Sequence, residues 1–307
     1  MTQPVVLNDL VVIHVSGQDA TEFLQSQLTQ DLDIPGQDKA ALAAYCTPKG
    51  RVLASMVIIP ASAAENGWLL VTRADNADTL ISRLRMFVLR AKVEISLTDL
   101  HVTGHKQAMA DTPATPAWQA HHDNAVYSIT LPSSDATASK RWWTLSADKP
   151  QTAMDSNEAR QAWWADDIAA GLPWVQQDNR EVYLAQTLNL DLLEAVSFTK
   201  GCYPGQEVVA RSHYRGVIKR RAAYGTAPIQ DIEQGHVLIG KDIFDAQRPK
   251  NPCGRIINAA ITNNTLHVLM ETQLADLENK ADFRLGSPEG AAITVQLLPY
   301  PLVAQSE

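Results

Sequence analysis

Lys200-Gly201-Cys202-Tyr203-Pro204-Gly205-Gln206-Glu207 sets one thiol beside an ammonium, inside a segment punctuated by two glycines and a proline. Gly201 and Gly205 permit positive φ and bare backbone, and Pro204 fixes a dihedral, so the segment reads as a loop shaped for close main-chain approach. It lies between the apolar Ala195-Val196-Ser197-Phe198 and a helix-like Val208-Val209-Ala210-Arg211. A helix opening over Gly205 to Glu207 would aim its amide dipoles near Cys202. That field and the Lys200 ammonium both favour thiolate, the nucleophilic and metal-binding form. A lone cysteine is more often a small apolar filler. The glycines, the proline, Lys200 and the polar Gln206-Glu207 pair favour a functional thiol here.

Working outward, Leu10-Val11-Val12-Ile13-His14-Val15 reads as a strand, and Asp19 as the cap of a helix carrying Phe23, Leu24, Gln27 and Leu28. Apolar runs 41–46 and 52–59 flank Thr47-Pro48-Lys49-Gly50-Arg51, the turn of a hairpin that leaves Cys46 at a strand end. A strand over 68–72, a helix over 75–89 with Leu80, Leu84 and Val88, and a strand over 92–97 follow. That order predicts an α+β unit resembling split β-α-β packing. Residues 109–123 and 132–139 read as loops, while 125–131 and 142–145 read as further strands of the same layer. A helix over 156–170 stops at Gly171, with Pro173 just beyond. After Arg221 the short apolar runs 236–239, 255–257, 265–270 and 292–297 have all-β spacing, as in a small barrel. The expected division is therefore 1–225 and 226–307, the first part holding two interleaved α+β subdomains, the second of them about 46–155.

With 307 residues, 45% apolar and 20% charged, the chain can bury a sizeable core. No stretch reaches the ~20 apolar residues of a membrane span, and the first residues lack a leader pattern. Cysteines at 46, 202 and 253 form neither C-x-x-C nor a disulfide framework, which fits a reducing, cytoplasmic setting. A net charge of −8 argues against general nucleic-acid adhesion, so any RNA contact needs a local patch. Two basic clusters qualify: Arg83, Arg85, Arg90 and Lys92, and the denser Arg211, His213, Arg215, Lys219, Arg220 and Arg221. Eight scattered histidines with no H-E-x-x-H argue against zinc catalysis, and three cysteines are too few for an ordinary iron-sulfur ligand set within one chain.

The octapeptide resembles the K-G-C-Y-x-G-Q-E signature of the YgfZ folate-binding proteins. The resemblance extends through Leu7-Asn8-Asp9-Leu10, Cys46-Thr47-Pro48-Lys49-Gly50-Arg51, Ala170-Gly171-Leu172-Pro173, Asn189-Leu190 and Leu297-Leu298-Pro299-Tyr300. That family is similar to the T-protein of the glycine cleavage system, a tetrahydrofolate-dependent aminomethyltransferase. The resemblance implies a T-protein-like fold of ferredoxin-like α/β units with a C-terminal small β-barrel, and tetrahydrofolate or a folate derivative as cofactor. It also implies a role in iron-sulfur cluster assembly or repair and in tRNA modification, with iron-sulfur proteins or tRNA-modifying iron-sulfur enzymes as partners and no membrane. Aligning Gly171 and Pro173 with the family puts its folate-associated tryptophan at Trp163, leaving Trp164 to pack the helix; a second family tryptophan falls on Leu10. Asn189 and Arg211 are further expected cofactor contacts. Lys200 and Cys202 are the expected reactive pair, with Gly201, Tyr203, Pro204 and Gly205 shaping the loop and Gln206 and Glu207 ordering its polar groups.

Two departures matter. The T-protein's catalytic aspartate follows a glycine turn, whereas Gly50-Arg51-Val52-Leu53-Ala54-Ser55 offers no carboxylate, so aminomethyl transfer is not expected. The family's Glu-Ala-Gly is Ala169-Ala170-Gly171, leaving Glu194, Asp166 or Asp167 to supply a carboxylate. A folate-dependent one-carbon transferase with a relocated catalytic group is the alternative, and direct tRNA contact through 211–221 is a third reading.

Overall fold

The computed structural model describes residues 2–33, 38–63, 65–108, 116–135, 139–214, 216–229 and 238–302. In chain order the elements are β1 (Val5–Val6), β2 (Leu10–Ser16), α1 (Ala20–Gln25), β3 (Ala41–Cys46), β4 (Val52–Pro60), β5 (Trp68–Arg73), α2 (Ala74–Arg85), β6 (Glu94–Leu97), β7 (His101–Ala108) and β8 (Ala120–Asp123). There follow β9 (Val126–Leu131), β10 (Ser139–Ser146), α3 (Asn157–Ala169), α4 (Gln206–Tyr214), β11 (Arg220–Pro228), β12 (Asp242–Asp245), β13 (Gly254–Thr262), β14 (Thr265–Gln273), α5 (Leu274–Glu278), β15 (Phe283–Leu285) and β16 (Thr294–Gln296).

Three sheets result. The first runs β3-β4-β5-β2-β6, antiparallel throughout, with Val57 opposite Val71 and Val12 opposite Val71 on the other side. Nearly every side chain of β4 is buried, because both faces are covered. Ile13, Met56, Ile58 and Leu70 pack with Phe23 and Leu24 of α1 and Leu80 and Leu84 of α2. Their alternates Leu10, Val12, Val57 and Val71 join a central core with Trp143, Leu145 and the tryptophans of α3. The period of two therefore divides one sheet between two cores.

The second sheet runs β1-β7-β10-β9-β8, and the third, six-stranded and curled, runs β15-β12-β13-β14-β11-β16. The third sheet also has two faces: Ile256, Val268, Met270 and Phe283 form its own core, while Ala222, Ile257, Ala260 and Leu269 join the central one. A register shift between Ile256 and Asn258 turns Asn258 inward, where its amide donates to the Trp174 carbonyl and accepts from the Trp174 N–H at 2.8 and 2.9 Å. Ser156 caps α3 by accepting from the Ala159 N–H, and Gly171 follows its end at φ 71°.

Several sequence expectations need correction. Strands β9 and β10 do not extend the first layer; β10 pairs with β9 and with β7, a strand that sequence reading missed, and they belong to a separate sheet. Within the expected loop 109–123, residues 120–123 form edge strand β8, whose polar His121, His122 and Asp123 are exposed and give no apolar alternation; residues 109–115 and 136–138 lie outside the described residues. Helix α2 stops at Arg85 instead of 89, since Met86, Phe87 and Leu89 face solvent and Leu89 is left-handed at φ 44°. Asp19 precedes α1 without capping it: its carboxylate accepts from the Lys92 N–H at 2.7 Å. Of the strand expected over 236–239, residues 236–237 lie outside the described residues and Ile239 sits in a turn. Residue 225 falls inside β11, which belongs wholly to the third sheet.

Candidate functional site

Where α3 meets the first and third sheets, Asp9, Arg73, Gln161, Trp164, Asp167, Trp174, Gln176 and Asn258 line a cavity of about 180 Å³. Trp164 and Trp174 meet edge to face, with centroids 6.1 Å apart. The Trp164 indole N–H donates to Asp9 at 2.8 Å, and the Arg73 guanidinium sits 4.7 Å above its ring. Trp174 donates to Asp167 at 2.9 Å, and Arg141 pairs with the other carboxylate oxygen; both ion-pair side chains are 1% exposed. Burial raises the Asp167 carboxyl above its ordinary range, opposed by the Arg141 charge and the Trp174 hydrogen bond. Burial also lowers Arg73 against the pull of Asp9, and its Nε has no hydrogen-bond partner among the described residues.

Two indoles, one buried carboxylate and a guanidinium are groups that a pterin ring can use. The volume suits a ring system, being below the roughly 300–1,000 Å³ of sites that enclose drug-sized ligands. The residues present therefore fit the pterin end of a folate.

The two tryptophans face different ways, and Trp163 is not the one at the cavity. Trp163 is buried between the Arg141 guanidinium, 4.5 Å from its ring, and Gly104, where an added Cβ would come within 2.6 Å of the indole. It packs α3 onto the second sheet, while Trp164, about 100° round the helix, lines the cavity. Leu10, Asn189 and Arg211 do not line it either. Leu10 is buried in β2 and borders a separate groove with Asn8, Thr98 and His101. Asn189, left-handed at φ 59°, spends its amide on Ala222 and on the Tyr300 hydroxyl. Arg211 is exposed on α4.

Of the three candidate carboxylates, Asp166 is held by Lys106 and Glu194 is exposed, so only Asp167 reaches the cavity. At the end of the stretch that lacks the catalytic aspartate, buried Ser55 donates to the Pro173 carbonyl at 3.1 Å and accepts from the Val175 N–H at 2.9 Å. Trp174 carries no sequence signal beyond its place after Gly171.

The octapeptide loop lies elsewhere on the molecule. Its two turns nest: Gly205, at φ 83°, packs so closely on the Thr47–Gly50 turn that an added Cβ would lie 2.4 Å from the Thr47 carbonyl. Gly201 is exposed, with open space around it. Lys200 does not turn to the thiol. Its ammonium donates to the carbonyls of Leu28 and Gln30 at 2.9 and 2.6 Å and sits 5.7 Å from the Tyr203 ring, and burial pushes it down to about 8. Tyr203 is buried, its hydroxyl unpartnered among the described residues and its phenol raised by burial and by neighbouring Cys46. Pro204 and Gly205 form the turn into α4, Gln206 reaches the Lys200 carbonyl at 3.4 Å, and Glu207 is exposed with no side-chain partner among the described residues.

Cys202 is exposed, whereas Cys46 and Cys253 are buried and pushed by burial up to about 12 and about 11. Among the described residues no three His, Cys, Asp or Glu side chains gather as a metal site. The second basic cluster is smaller than the sequence suggests. Arg221 is buried on Asp191 at 2.5 and 3.0 Å, Arg220 pairs with Glu271 at 3.4 Å, and Arg215 lies outside the described residues.

No family model matches the chain. It is 31% identical to tRNA-modifying protein YgfZ of Hamiltonella defensa, over 70% of this chain and 67% of that one. It is 27% identical to tRNA-modifying protein YgfZ of Cronobacter sakazakii, over 96% of this chain and 92% of that one. Glycine cleavage system aminomethyltransferase T from Bartonella henselae superposes with a TM-score of 0.70, covering 98% of this chain and 86% of that chain at 13% identity. The chain thus has the expected α+β, T-protein-like fold.

Proposed function

We propose, from the family of the tRNA-modifying protein YgfZ to which this chain belongs, that it is a cytoplasmic folate-binding accessory protein serving iron-sulfur cluster assembly or repair and, through it, tRNA modification. The observation that carries the reading is the cavity lined by Trp164 and Trp174, with Asp167 and Arg73 at its wall. Tetrahydrofolate or a derivative would bring a one-carbon carrier with a redox-active pterin. The chain's own residues would bind and orient it: the indoles cover the ring, Asp167 accepts from ring N–H groups, and Arg73 donates. With Ser55 committed to the main chain and no carboxylate in residues 50–55, this stretch supplies no proton-handling group for aminomethyl transfer. Cys202, exposed at the surface, is placed to meet a partner's thiol or cluster. Iron-sulfur proteins and tRNA-modifying iron-sulfur enzymes are the partners this reading requires.

Calorimetric titration with tetrahydrofolate tests it, comparing wild type, Trp164→Phe and Trp163→Phe. Saturable binding weakened at Trp164 and preserved at Trp163 is the expected result. Absence of binding to the wild type overturns the folate reading, and catalytic consumption of the cofactor with a methylamine donor replaces it by a one-carbon transferase.

A further inference from the structure

The outer end of α4 carries a cluster of rings that neither the cavity nor the thiol uses. Phe198 and His213 stack with centroids 3.8 Å apart and planes inclined by 15°. Tyr214 meets both edge-on, 6.0 Å from Phe198 and 4.9 Å from His213, and is 65% exposed. Packing against Phe198 and His213 limits the rotamers of Tyr214 while leaving much of its surface to solvent. Arg211 stands one turn before it on the helix and Lys219 follows it by five residues in the chain, both exposed. Neither cation has an ion pair among the described residues. The acidic Glu207 lies in the first turn of the helix, at its other end.

We propose that this end of α4 is a docking platform for an unpaired RNA segment, one base stacking on Tyr214 beside His213 and the flanking phosphates meeting Arg211 and Lys219. Pre-positioned aromatic faces beside unpaired cations are the means by which proteins hold splayed bases of single-stranded loops, and a duplex presents no free base faces to such rings. Local charge, in a chain with net −8, confines the attraction to this surface. A nine-residue helix is about 13 Å long at ~1.5 Å per residue, so docked RNA would lie about one short helix from the Cys202 loop. The inference rests on the tRNA-directed part of the proposed function and is independent of the folate part.

Fluorescence anisotropy with a labelled RNA stem-loop, and with its stem alone as a blunt duplex, tests it. The stem-loop should bind more tightly than the duplex, and its affinity should fall with salt. Tyr214→Ala and Tyr214→Leu should each weaken binding about tenfold with the salt slope unchanged, Tyr214→Phe should retain it, and Arg211→Glu should flatten the slope. Equal binding of loop and duplex, wild-type affinity in Tyr214→Leu, or no RNA binding at low salt would overturn it. Tetrahydrofolate titration of the same preparations separates this failure from failure of the folate reading and shows that each variant is folded.

Discussion

The cavity beside α3 and the loop around Cys202 solve opposite problems. The cavity is recessed, and most of its polar groups are paired before any ligand arrives: Asp167 with Arg141 and Trp174, and Asp9 with the Trp164 indole. The loop leaves its thiol in the open and secures everything around it, with Lys200 pinned to two carbonyls and Gly205 pressed on the Thr47–Gly50 turn. The difference teaches where substitutions should register. In the cavity, stability and ligand affinity share the same side chains; in the loop, stability rests on the anchors and chemistry on the exposed residue.

The sharpest break of that comparison is Asp167→Ala. Removing it leaves Arg141 charged and buried without its partner, which should cost about 3–5 kcal/mol in urea unfolding. A loss under about 1 kcal/mol would mean that the cavity wall is not a structural element. Next comes Gly205→Ala, expected to cost about 1–3 kcal/mol through positive φ and the clash with Thr47, while Gly201→Ala should stay within about 0.5 kcal/mol. Equal effects at the two glycines would contradict the anchoring role of Gly205.

Lys200 gives a smaller, pH-dependent signature. Its folded value is about 8 against 10.5 for the ordinary side chain, so between those values the unfolded chain keeps a proton that the folded chain has released. Stability should therefore rise with pH across that window, by up to about 1.4 kcal/mol per pH unit, relative to Lys200→Met. Denaturant unfolding at several pH values reads this directly, and parallel curves would place Lys200 in water. The smallest stability effect belongs to Cys202→Ala, within about 0.5 kcal/mol and with tetrahydrofolate affinity intact, while complementation of a deletion strain should be lost.

Much of the fold was readable because it depends on local pattern. The 47–51 hairpin turn, the helix beginning near residue 156 and the Gly171 stop are each written in a few residues, and the structure places them as expected. The octapeptide loop was visible for the same reason. What sequence reading missed depends on distant partners. Trp163 and Trp164 are chemically identical neighbours on one helix, and only the approach of Gly104 on one side and Asp9 on the other distinguishes them. The carbonyls that hold Lys200 belong to residues 170 and 172 positions away, and a main-chain carbonyl leaves no mark in a sequence. Strand β8 was hidden by its polar side chains, since an exposed edge needs no apolar alternation.

Tyr300 donates to the Gly171 carbonyl, 129 residues earlier in the chain, at 2.9 Å, and receives the Asn189 amide at 3.3 Å. A contact of that span is closed late, because the entropy of bringing such remote segments together is met only once the intervening sheets are in place. During synthesis the segment that follows α3 stays without this latch until residue 300 has cleared the ribosome. A chain cut short of Tyr300 would leave the end of α3, and with it the wall that bears Trp164, Asp167 and Trp174, without its final fastening.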